Sequence, residues 1–97
     1  MKVRFTARGV RVRIDDLELA ALDRGEAQTA AVSWPGGGWA LSLDPGMEGV
    51  SGEGGELVVG LSGLLGELRR PEQEGVRLPG TLQVDVEKDF GPQHLTP

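Results

Sequence analysis

Near the end of the sequence, Asp85, Glu87 and Asp89 recur at every second position, the period that sends side chains to one face of a β-strand. Three carboxylates in such a row could converge on a hard divalent cation, Mg²⁺ or Ca²⁺, or work in pairs as acid and base. A second set is cationic: Arg4, Arg11, Arg13 and Lys88 could receive a phosphate or another anion. Both sets also admit a plainer reading. Laid on neighbouring strands, acids and bases make cross-strand ion pairs worth about 1 kcal/mol or less each. Lys88 shares the parity of Leu82, Val84 and Val86, so its ammonium is expected on the core side at the sheet end, snorkelling or holding an anion. Trp34 and Trp39 could stack on a sugar or base, or pack in the core of a hairpin.

Other motifs carry less. The run Gly49-Val50-Ser51-Gly52-Glu53-Gly54-Gly55 is glycine-rich, but it opens no helix, and Glu48, Glu53 and Glu56 surround it with the wrong charge for a phosphate cradle. His94, the single histidine, stands in a proline-flanked tail without partners for a triad or a zinc site. No cysteine is present, which excludes disulfides and thiolate metal sites.

The elements that must position these residues follow from periodicity. Val3 and Phe5, then Val10, Val12 and Ile14, alternate with cations and predict two strands or one bent strand. Asp15 is placed to cap a helix over 16–24, with Glu18 answering it three residues on. Leu17, Leu19, Ala21 and Leu22 would form its apolar side. Residues 27–43 predict a hairpin around Pro35-Gly36-Gly37-Gly38, with Trp34 opposite Trp39, Val32 opposite Leu41 and Ala30 opposite Leu43. Residues 44–55 are expected as a flexible loop of glycines and acids. A strand over 57–61, a short helix capped by Ser62 and ended by Pro71, and strands over 76–78 and 81–88 complete the domain, with 91–97 as a tail. The halves share an order of strand, capped helix and strand pair: Ile14-Asp15-Asp16-Leu17 matches Leu61-Ser62-Gly63-Leu64 at a spacing of 47, which suggests an internal pseudo-repeat.

Bulk properties narrow the function. A chain of 97 residues supports one modest core, here over 1–90, and its 16 glycines and 6 prolines favour short elements joined by turns. The net charge of −5 argues against nucleic acid as a partner. No apolar run is long enough for a membrane span, and the charged first residues do not form a signal peptide, so a cytoplasmic protein is expected.

The opening Lys2-Val3-Arg4-Phe5, then Val10-Arg11-Val12-Arg13-Ile14 and an acid-capped helix, together with the closing Val86-Glu87-Lys88-Asp89-Phe90, resembles a small uncharacterised bacterial family defined only as a domain of unknown function. The resemblance implies the α+β layout and no activity. It marks the Glu-Lys-Asp-Phe run as a shared site or a shared way of closing the sheet.

The expected fold is α+β: a curved antiparallel sheet of about six or seven short strands, half-barrel or barrel-like, with two short helices. The leading expectation for function is a non-enzymatic binding or protein-interaction module, with an unknown protein or a second copy as partner, since no catalytic motif is assembled. The alternative is a divalent-metal-dependent phosphate- or nucleotide-binding protein or hydrolase using the acidic strand.

Overall fold

The structure, a computed structural model, describes residues 1–88. Alternation of apolar and charged residues folds the first segment into β1 (Lys2–Phe5) and β2 (Gly9–Ile14). The helix α1 (Asp16–Asp23) follows, and its N-terminus carries the complete capping box: Glu18 N–H donates to Asp15 Oδ1 (2.8 Å) and Asp15 N–H to Glu18 Oε1 (3.0 Å). Then come β3 (Gln28–Trp34), β4 (Gly37–Asp44), β5 (Glu48–Glu53), β6 (Glu56–Leu61), the single-turn helix α2 (Leu65–Leu68), β7 (Gly75–Leu78) and β8 (Gln83–Lys88).

The strands form two four-stranded sheets, β1-β2-β8-β7 and β3-β4-β6-β5. The α+β class is as expected, but the one curved antiparallel sheet is replaced by two mixed ones, which do not close into a barrel. Eight strands stand among the described residues where six or seven were expected. The hairpins are antiparallel, as local alternation and turns dictate, yet β2 runs parallel to β8 and β4 parallel to β6. Those parallel contacts join hairpins far apart in sequence, and no local pattern specifies them.

Residues 44–55 are a second correction, since β5 lies inside them. Its glycines hide the alternation, but Val50 sits opposite Val59 and the ladder to β6 runs from Glu48 to Glu53. The β3–β4 register is a third. Val32 faces Trp39, Ala30 faces Leu41 and Trp34 faces Gly37, a shift of two residues that keeps every side chain on its expected face. The turn is therefore Pro35-Gly36 alone, with Gly36 at φ 90°, as a type II turn requires after proline. Helix α2 starts later than expected, because Gly63 at φ 84° lies in a left-handed turn and Ser62 caps nothing. On α1, Ala21 and Leu22 are buried while Leu17 is exposed.

The two halves repeat in register. Raising each residue number of the β1–β2 ladder by 47 gives the β5–β6 ladder, so that Val3 opposite Val12 becomes Val50 opposite Val59. Each sheet takes one hairpin from each half, and α1 and α2 each carry the chain from one sheet to the other. Across the first sheet the inward rows are Phe5-Val10-Val84-Leu78 and Val3-Val12-Val86-Val76. These valines and leucines join Leu41, Leu43, Val59 and Leu61 of the second sheet, and Leu22 and Leu68 of the helices, in one core. Such sheets leave their other face to water.

Candidate functional site

The wet face of the first sheet gathers most of the charged candidates. Its outward rows are Arg4-Arg11-Asp85-Arg77 and Lys2-Arg13-Glu87-Gly75. Arg77 Nε donates to Asp85 Oδ1 at 2.7 Å, and Gln83 Nε2 to Asp85 Oδ2 at 3.2 Å. With Asp85 so occupied, Arg11 reaches past it and grips Glu87 with two hydrogen bonds, Nε to Oε1 at 3.2 Å and Nη2 to Oε2 at 3.0 Å. Arg13 approaches the same carboxylate at 4.0 Å.

Electrostatics agrees with this geometry. Burial alone would raise the Asp85 pKa. The hydrogen bonds from Arg77 and Gln83 and the charges of Arg77 and Arg11 outweigh it, and the carboxyl titrates below its ordinary value. The hydrogen bond and charge of Glu87 raise the already high pKa of Arg11. Asp85 and Glu87 thus form ion pairs on the strand face. Asp89, the third acid of the row, lies outside the described residues, as do His94 and the tail 91–97. Among the described residues no group of three or more histidines or acids is placed to hold a metal ion.

Lys88 does something the sequence did not show. Its ammonium donates to the Arg70 carbonyl at 2.6 Å and its own N–H to the Glu74 carbonyl at 2.8 Å. The side chain thereby ties β8 to the chain leaving α2, where carbonyl groups lack helical partners.

The tryptophans part company. Trp39 is partly buried, edge-on to Phe5 across the two sheets, whereas Trp34 stands beyond the core at the hairpin tip. Phe5 (57% exposed), Trp34 (51%) and Val32 (48%) all have inward parity yet stay about half exposed, Phe5 even with its contact to Trp39. Beside them β3 is a sheet edge. Sequence reasoning missed this edge as a candidate, although its signal was present: Gln28-Thr29-Ala30-Ala31-Val32-Ser33-Trp34 has no charge. The other edges carry Lys2 and Arg4 (β1), Glu48 and Glu53 (β5) or Arg77 (β7). Charged residues on an edge deter pairing with other chains, and β3 lacks that protection.

No protein-family model matches the chain, and no curated protein or solved structure matches it. The likeness of its two ends to a bacterial family therefore assigns it to none. No helix among the described residues is long and apolar enough to cross a membrane.

Proposed function

We propose that the protein is a non-enzymatic interaction module that associates through the edge of β3, with a second copy of the chain as its partner. The observation that carries this reading is the uncharged seven-residue edge that itself bears the exposed Val32 and Trp34. Added strands gain main-chain hydrogen bonds for affinity and apolar contacts for selectivity. The edge is complementary to itself: antiparallel pairing about Ala31 sets Thr29 beside Ser33 and Ala30 beside Val32, with no like charges opposed. A metal-dependent hydrolase has weaker support, because Asp85 and Glu87 already engage arginines.

Trp34 and Trp39 are the only tryptophans, so intrinsic emission reports directly on this surface. Sedimentation equilibrium from micromolar to millimolar concentration should show a monomer–dimer transition, accompanied by a blue shift of emission. Val32→Lys should abolish both while the monomer stays folded. A chain that remains monomeric across that range, with unchanged emission, would end the proposal.

A further inference from the structure

Two like-charge pairs stand side by side on the wet face of the β1–β2 hairpin, Lys2 opposite Arg13 and Arg4 opposite Arg11. Like charges directly across a strand pair destabilise it. The architecture does not require them. In the equivalent hairpin β5–β6 the same positions hold Gly49 opposite Gly60 and Ser51 opposite Val58, and the ladder forms in the same register. Four cations are thus concentrated on one hairpin of a chain whose net charge is −5. With Val3 they line a cleft of about 180 Å³.

Their neutralisation is uneven, and Lys2 makes an interaction of its own. Glu87 engages Arg11 and Arg13, Asp85 is taken by Arg77, and Arg4 pairs with no carboxylate among the described residues. The two bonds from Arg11 to Glu87 use one edge of its guanidinium and fix its orientation, which leaves the donors of the Nη1–Nη2 edge for an anion's oxygens. Size favours a compact ligand: the cleft is small and partly open to solvent, so it seats a small anionic group and leaves anything larger outside. Extent limits it too, because the cleft is confined to the β1–β2 hairpin, and next to it Arg77 is already committed to Asp85.

We infer that this cleft binds a compact, multiply charged oxyanion of pyrophosphate size, either free or as the terminal group of a phosphorylated small molecule. The site does not depend on association through β3, which lies in the other sheet.

The test is calorimetric titration of the full chain with inorganic pyrophosphate in metal-free buffer at low ionic strength, in parallel with a nucleoside diphosphate and a single-stranded oligonucleotide. Pyrophosphate should bind saturably and more weakly as salt is added. Arg4→Gln should weaken it at least tenfold with an unfolding temperature equal to or above that of the parent, since one like-charge opposition is removed. Glu87→Gln should tighten it, and Arg24→Gln, remote and paired with Glu26, should change nothing. Competition by the nucleoside diphosphate would identify a terminal phosphate group as the ligand, and its failure to compete would identify the free anion. The inference is overturned by no binding at millimolar pyrophosphate, by affinity unaffected in Arg4→Gln, by no tightening in Glu87→Gln, or by binding of the oligonucleotide alone.

Discussion

The indole of Trp39 stands edge-on to the ring of Phe5, with centroids 5.3 Å apart and planes at 89°. Phe5 closes β1 in one sheet and Trp39 lies on β4 in the other, so this contact joins the sheets near the turn of the β3–β4 hairpin. It also divides the aromatic surface: Trp39 is partly covered by Phe5, and Trp34 is left to water.

Phe5→Ala should therefore cost about 1–2 kcal/mol, combining the edge-to-face contact with the apolar area of a half-buried ring. Urea unfolding measures the loss. The folded variant should emit further to the red, because Trp39 loses its cover. A change within a few tenths of a kcal/mol would mean that the contact contributes nothing to holding the sheets together.

The internal repeat allows one sheet to serve as control for the other. Thr29 and Ser42, hydrogen-bonded at 2.8 Å, occupy in the second sheet the place that Arg77 and Asp85 occupy in the first. Replacing Arg77 and Asp85 together by Thr and Ser should alter stability by less than about 1 kcal/mol, since exposed ion pairs contribute little. The double variant should also lose salt sensitivity at that position, as thermal unfolding at low and high salt will show.

Two substitutions of glycine by alanine should act in opposite directions. At Gly9, where β2 meets the start of β8, an added Cβ would lie 1.9 Å from the Gln83 carbonyl oxygen, so the parallel contact must open. Gly9→Ala should cost several kcal/mol, of the order reserved for overpacking and backbone strain. Gly66 lies within α2, has no positive φ, and its added Cβ would meet only the flexible end of Arg69 at 3.9 Å. Gly66→Ala should stabilise the protein by about 0.5–1 kcal/mol. Chemical denaturation of both variants checks the pair.

What could be read from the sequence was local. The capping box of Asp15 and Glu18, the turn at Pro35-Gly36 and the spacing of 47 between Ile14 and Leu61 each depend on residues close together or on a pattern that repeats. The pairing of hairpins depends on neither. Nothing near Val10 names Val84 as its neighbour, and the parallel contacts arise only when both halves bury their apolar rows in one core. Strand β5 was hidden for a related reason: with Val50 as its one large apolar residue, it is a strand because β6 pairs with it. At the charged face, alternation placed acids beside bases but did not choose their partners. Arg11 faces Asp85 in the ladder yet bonds to Glu87, because Arg77 on the edge strand takes Asp85 first.

That division of partners has a consequence for pH. The Asp85 carboxyl titrates below its ordinary value in the folded protein, since hydrogen bonds from Arg77 and Gln83 and the nearby charges outweigh the opposing effect of burial. In the unfolded chain it returns to the ordinary range, about 3.9. A depressed native pKa means that the unfolded state binds the proton first, so stability from this group is fully present above the unfolded value and is lost as pH falls through the folded one. Asp85→Asn should accordingly be less stable than the parent at neutral pH and converge with it in strong acid, which flattens part of the acid limb of the stability curve. Arg77→Gln should remove part of the same slope by withdrawing the nearest hydrogen bond and charge while leaving Arg11 in place. Urea midpoints measured from neutral pH down through the acid transition decide the matter. A variant curve parallel to that of the parent at every pH would show that Asp85 is not coupled to its arginines in solution.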